Sequence, residues 1–453
     1  MIYRSQRVAY FYFLAALVLF ALQVAFGFLL IAKYLGPDPL LYVVNFATAK
    51  EIHTNLLLVW LLTGFMGAAY YLVPEESRTE IHSETLAWVQ LGLWLAIGVT
   101  TIVGYLFGVT EGRKFLEMPF ALKLGVVVVF VIFLYNVAMT IRNAGRFTTT
   151  EGILIGGLAS AALLFVPGLI PFDNYTLDRF YRWWVVHLWV EGVWELIQGG
   201  LLAFLLIRLS GADREVLEKW LYVIVGLTFL SGILGTGHHY YWIGTPRYWL
   251  WVGGVFSALE PLAFLGMAAY AYNTLRRSGL AHPNTTALHW TIGSALFSTL
   301  GAGILGLSHT WPQVNRWTHG THITTMHGHM AFFGAYVMIV LAIITYSLPA
   351  LTGRSDEERQ TGLGLWAFWL MVGGMFGMTM AFAASGITQT YLERILGLGY
   401  LETQQKIQVH YLMVLGAGTI FATGVALFLI DFVRAGAPET ATRAVPAITV
   451  AAR

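Results

Sequence analysis

The strongest constraint on this chain is a succession of apolar runs, each long enough to cross a bilayer. A helix needs about 20 apolar residues for the crossing. Twelve stretches qualify: 8–34, 50–73, 85–108, 120–141, 152–171, 180–208, 217–243, 249–275, 287–308, 320–349, 363–388 and 405–433. The connections between them are short and carry the charge, as in Pro74–Glu84, Arg142–Glu151 and Arg208–Lys219. Only 11% of the 453 residues are charged, against ~25% in a soluble domain. The expected fold is an all-α membrane protein of twelve transmembrane helices. One domain covers 1–435, and an Ala-rich tail, 436–453, is expected to be disordered and cytoplasmic.

An even number of spans puts both termini on one side. With the termini inside, the inner segments hold 15 of the 26 Lys and Arg residues, which favours cytoplasmic termini. The first apolar run follows Arg4 and Arg7, is too long for a signal-peptide core and lacks a small-x-small site, so it reads as a retained span. The net charge of +2 gives no reason to expect nucleic acid. The chain has no cysteine, which excludes a Cys-x-x-Cys-His haem site, a cysteine-bound copper centre and an iron–sulfur cluster within it.

Ionisable residues inside a membrane helix are costly and are functional candidates by default. They are few here, and they cluster. In the tenth span, His327-Gly328-His329 places two imidazoles at i and i+2. On a helix these point ~200° apart with a rise of ~3 Å. One helix can thus ligate two centres, one on each flank, and the intervening glycine lets a flat group approach. The sixth span reads Trp183-Trp184-Val185-Val186-His187-Leu188-Trp189-Val190-Glu191-Gly192-Val193-Trp194-Glu195. His187, Glu191 and Glu195 share one face at i, i+4 and i+8, and two carboxylates among Trp and Val need a compensating partner, most economically a cation. The seventh span ends Gly235-Thr236-Gly237-His238-His239-Tyr240. Two adjacent imidazoles can converge on one metal if the helix end relaxes. Three histidines with one carboxylate suit iron(II) well, and copper or zinc less decisively. His53 opens the second span, beside Lys50, and Glu260 precedes Pro261 in the eighth.

On the twelve spans, His53, the long sixth-span run, Gly-Thr-Gly-His-His-Tyr and His-Gly-His, the chain resembles the catalytic subunit of bacterial cytochrome c-dependent nitric oxide reductase. That family lies in the haem–copper oxidase superfamily. The resemblance implies a haem–copper oxidase-like bundle in the bacterial inner membrane that reduces two NO to N2O and water with two electrons and two protons, a step of denitrification. It implies a low-spin haem b between His53 and His329, a high-spin haem b (haem b3) on His327, and a non-haem iron held by His187, His238, His239 and Glu191. Glu195 and Glu260 would serve the site as proton donors. Lys50 and Arg113 are expected to pair with haem propionates. The implied electron source is a membrane-anchored cytochrome c subunit, or an equivalent donor, on the outer face.

One departure stands out. The family carries Arg-Glu-x-Leu-Glu in the second outer loop, and its first Glu contributes to a calcium site. Here the run is Arg113-Lys114-Phe115-Leu116-Glu117. Glu117 matches the second acid as a metal ligand, but Lys114 puts a cation where the first is expected, which argues against a calcium site of the family's kind. No polar track leads inward from the cytoplasmic side, so protons are expected from the outer face by way of Glu117, Glu260 and Glu195. Two rival functions are a haem–copper oxygen reductase, with copper in place of the non-haem iron, and a proton-relay transporter. Glu at position 191 is a hard oxygen ligand that disfavours the first. The absence of inverted-repeat symmetry disfavours the second.

Overall fold

The computed structural model describes residues 3–36, 43–259, 261–278, 282–355 and 362–438. Glu260 and positions 439–453 of the expected tail lie outside the described residues. Among the described residues, eleven helices are long and apolar enough to cross a membrane: α1 Arg4–Leu35, α2 Phe46–Ser77, α3 Glu84–Leu106, α4 Phe120–Ala144, α5 Thr149–Leu169, α6 Tyr175–Ser210, α7 Arg214–His239, α10 Thr285–Thr310, α12 His322–Leu351, α13 Gly362–Ile395 and α15 Gln408–Arg434. The chain is a multi-pass membrane protein, and each of these helices falls on an expected span. The eighth expected span, 249–275, is broken into α8 Trp249–Phe256 and α9 Pro261–Ser278. Pro261 opens α9, a position where its missing N–H costs nothing because the first N–H groups of a helix have no intrahelical partner. Two short helices complete the set: α11 Pro312–Thr318 and α14 Tyr400–Lys406.

Several helix starts are fixed by side-chain caps that satisfy otherwise unpaired N–H groups. Asn45 accepts from the Thr48 N–H at the head of α2, Asn174 from Leu177 at the head of α6, and Asp213 from Val216 at the head of α7. Thr148 and Glu151 form a reciprocal capping box at α5. Where α2 ends and α7 begins, buried Glu76 takes both guanidinium nitrogens of Arg214, each at 2.9 Å. This ties α2 to α7, and Glu84 binds Arg7 at 2.5 Å to tie α3 to α1.

Lipid tails are as apolar as the helices, so packing rests on close backbone approach and van der Waals contact. Two glycines matter for the site. A Cβ on Gly253 of α8 would stand 2.3 Å from the His238 backbone nitrogen, and one on Gly301 of α10 would stand 2.5 Å from the Met330 carbonyl carbon. A side chain at either place would push α8 off the end of α7, or α10 off α12.

Candidate metal centre

Four helices turn polar groups toward one interior region, and in each the regular ladder is interrupted there. Widened π turns occupy Trp189–Val193 in α6, Thr228–Gly232 in α7, Thr299–Leu305 in α10 and Phe333–Val337 in α12. Such turns concentrate at functional sites. They take carbonyls out of the i→i+4 register, so that side chains can reach them. The Nε2–H of His187 donates to the Gly232 carbonyl at 2.8 Å. The Nδ1–H of His327 donates to Gly301 at 3.0 Å. The Tyr336 hydroxyl donates to Val190. Each of the three acceptors lies inside a π turn.

These bonds decide which ring nitrogen is left for a ligand. His187, only 1% exposed, keeps Nδ1 buried and without a hydrogen-bond partner. That nitrogen lies 3.6 Å from Glu191 Oε1. Glu191 itself sits at φ −98°, ψ 23° within the π turn, so the carboxylate does not stand on the regular stripe that an unbroken helix gives. On α7 the helix end relaxes into a tight turn over Thr236–His239, as two converging imidazoles require. His238 donates its Nδ1–H to Ser257 Oγ at 2.8 Å, and the Ser257 hydroxyl donates onward to Gly253 at 2.6 Å. The freed Nε2 of His238 is 3.8 Å from Glu191 Oε1 and 2.9 Å from His239 Nε2. The His239 ring stacks on Trp183, with centroids 4.2 Å apart and planes within 6°. One donor atom from each of His187, Glu191, His238 and His239 falls within 4.8 Å of every other.

This set fits a metal. Metal-binding histidines almost always donate their second ring N–H to a carbonyl, carboxylate or similar group. Gly232 and Ser257 do this for His187 and His238. Three nitrogens and a hard oxygen form a donor set suited to iron.

Across a cavity lined by Glu191, Glu195, His238, His327, Gly328 and Tyr336, the four-donor cluster faces His327. With Nδ1 committed to Gly301, His327 offers Nε2. Two residues on, His329 leaves the other flank of α12, its Nδ1–H given to the Thr325 carbonyl at 2.9 Å. His53 gives its Nδ1–H to Gln23 at 2.9 Å. The His53 and His329 rings face one another at 6.4 Å between centroids and 27° between planes. A single metal between two imidazoles, with bonds of ~2.0–2.1 Å, sets ring centroids roughly 6 Å apart. The spacing would let one metal be held between the two rings.

Other expected residues are placed differently. Buried Glu195 lines the cavity. Glu117 is buried and accepts from Asn55 Nδ2 at 3.0 Å. Lys50 is exposed in the first turns of α2. Arg113 turns to Asp178 at 2.8 Å and to the Gly168 carbonyl at 2.7 Å, so its charge is engaged by α5 and α6. Sequence reasoning did not single out Ser257, Tyr336 or the carbonyls of Gly232 and Gly301, and no spacing rule identifies a carbonyl that a π turn releases. Nor did it single out buried His309, whose ring lies 6.2 Å from that of His327 between Thr318 and Thr324.

A family model described as Cytochrome C and Quinol oxidase polypeptide I matches residues 7–420. The chain is similar to a nitric oxide reductase subunit of Stutzerimonas stutzeri, at 44% identity over 96% of each chain. It is 22% identical to a Cytochrome c oxidase subunit 1 homolog of Agrobacterium tumefaciens, over 90% of this chain and 77% of that one. Among solved structures it resembles a haem–copper terminal oxidase dimer determined by cryo-electron microscopy. The TM-score is 0.72 and the identity 14%, with 95% of this chain and 84% of that chain covered.

Proposed function

This chain belongs to the cytochrome c and quinol oxidase polypeptide I family, with full-length similarity to a subunit of nitric oxide reductase, and on that premise we propose that it reduces nitric oxide in the cavity between His327 and the His187–Glu191–His238–His239 cluster. The single observation that carries the location is the cluster itself: three imidazoles and a carboxylate converging opposite a fourth imidazole. Two NO, two electrons and two protons give N2O and water.

His327 would hold a high-spin haem b, the four-donor cluster a non-haem iron, and His53 with His329 a low-spin haem b. Bound there, the facing irons supply two redox-active Lewis acids for joining two NO molecules. The remaining work belongs to the chain. His327 and His329 leave one helix two residues apart, which keeps the electron entry and the reaction space at a fixed, short separation. Gly232, Ser257 and Gly301 hold the imidazoles in the tautomers that present the correct nitrogen. Glu191 contributes a formal negative charge and a hard oxygen, and this favours iron over the copper of an oxygen reductase. Glu195, on the cavity wall, holds a proton where an oxygen becomes negative and must leave as water. Val190, Phe332 and Ala335 line the same cavity and limit competing water.

Electrons reach the outer face from a membrane-anchored cytochrome c subunit or an equivalent carrier, and the protein works in the bacterial cytoplasmic membrane with its termini inside. The test is an iron and copper count on the purified complex alongside NO consumption. Non-haem iron in addition to b-type haem, without copper, supports the reading. Copper in its place, with oxygen uptake and no NO consumption, refutes it.

A further inference from the structure

The outer loop between α3 and α4 carries a cation that the chemistry above leaves without a role. The Leu116 N–H donates to the Arg113 carbonyl at 2.7 Å, closing a turn in which Phe115 adopts φ 68°. A bulky residue in the left-handed region persists only where its surroundings over-determine it. The restraints are visible on both sides. Arg113 is fixed to Asp178 and Gly168, and Glu117 to Asn55. Between them the Lys114 Nζ lies 5.0 Å from the Phe115 ring centroid and 5.7 Å from that of Trp183, the ring that stacks on His239. The loop thus holds an ammonium directly above the metal-binding end of the bundle.

It is not alone. Arg182, 7% exposed, sets its guanidinium 5.6 Å from the Trp183 ring, and the Nε atoms of both Arg179 and Arg182 are buried without a hydrogen-bond partner. Among the described residues, none of Lys50, Lys114, Arg179 and Arg182 has a carboxylate within ion-pair distance. The protein around Lys114, then Lys50 and Arg182, pull its ammonium down to about 8. A group of cations with no carboxylate in direct contact, and only Glu117 and Asp178 acting from farther off, calls for anions.

The same geometry does not fit a divalent cation. Calcium takes 6–8 oxygen ligands. Here Glu117 already accepts from Asn55, an ammonium stands at the position the resemblance gives to the first acid, and the only cluster of three or more His, Asp and Glu among the described residues is the His187 set. We propose that Lys114, backed by Arg179 and Arg182, neutralises the haem carboxylates on the outer face in place of the calcium ion that the family resemblance implies, so that the holoenzyme carries no calcium. This rests on the haem reading above.

The test is metal analysis of the purified holoenzyme before and after dialysis against a calcium chelator, with redox titration of both b haems. The expected result is sub-stoichiometric calcium and midpoint potentials that the chelator does not move. Lys114→Met is expected to lower the potentials, because a positive charge that stabilises the reduced, more electron-rich haems is gone, and Lys114→Arg to restore them. Calcium stoichiometric with the complex, chelator-sensitive potentials, or wild-type potentials in Lys114→Met each overturn the proposal. The b-haem spectrum separates the two failures. Its absence sinks the functional reading, whereas its presence together with tightly held calcium sinks only this one.

Discussion

Replacing Ser257 with alanine tests the metal centre without touching a ligand. The Ser257 hydroxyl accepts the Nδ1–H of His238 at 2.8 Å and so leaves Nε2 for the metal. Alanine removes that acceptor. The Gly253 carbonyl that the hydroxyl served still accepts the backbone N–H of residue 257 at 3.3 Å, so the helix turn keeps a partner. What remains is a buried imidazole N–H with nothing to bond, a cost of ~1–3 kcal/mol. Part of that cost falls on the metal-bound form, since the ring is then free to rotate or to take the other tautomer. Loss of such an outer partner typically lowers metal affinity ~10–100-fold, or about 1.4–2.7 kcal/mol at 1.4 kcal/mol per tenfold. The two routes to the magnitude agree. The assay is retention of non-haem iron against a graded ferrous chelator, with the b-haem spectrum as internal control. Ser257→Ala should release the iron at roughly ten- to a hundredfold lower chelator, with haem content unchanged, and Ser257→Thr should retain it. An alanine variant whose iron affinity stays within about twofold of wild type would refute the reasoning, because the His238 tautomer would then not depend on this bond.

Glu191→Gln removes the charged oxygen from the four-donor set, and it should empty the non-haem position more completely than the ~10–100-fold loss expected for an outer partner; iron analysis reads this, with both haem signals intact. Glu195→Gln should keep both haems and the non-haem iron yet lower NO turnover by on the order of 10²–10⁴, the usual contribution of a positioned acid, as measured by a NO electrode. His53→Ala should abolish the low-spin haem spectrum while ligand binding to the remaining high-spin haem persists in optical titration. Tyr336→Phe strands the Val190 carbonyl in its π turn and should cost ~1–3 kcal/mol, visible as a lower Tm. Lys114 offers a pH prediction for the haem-free protein. Its folded pKa, about 8, lies below the ordinary 10.5, so between those values the unfolded chain binds more protons than the folded one. Stability should therefore rise as pH increases from about 8 to 10.5. A flat thermal-melt profile over that range would count against it.

The sequence by itself determined the crossings and the donor atoms. Apolar run length is read by the bilayer directly, and each of the eleven long helices fell on a predicted span. His187, Glu191, His238, His239, His327 and His329 stood out as candidates from the expense of burying such groups, whereas His53 and its pairing with His329 came only with the family resemblance. Tertiary structure decided what those donors can do. The π turns in α7 and α10 free the Gly232 and Gly301 carbonyls, and through them set which nitrogen His187 and His327 present. The close approach of α8 at Gly253 to the end of α7 brings Ser257 to His238, and the turn at Phe115 sets Lys114 beside Trp183. Local hydropathy has a reach of one helix, whereas a tautomer or an electrostatic cradle is set by groups on a different helix, far away in the chain, whose approach exists only once the bundle has closed.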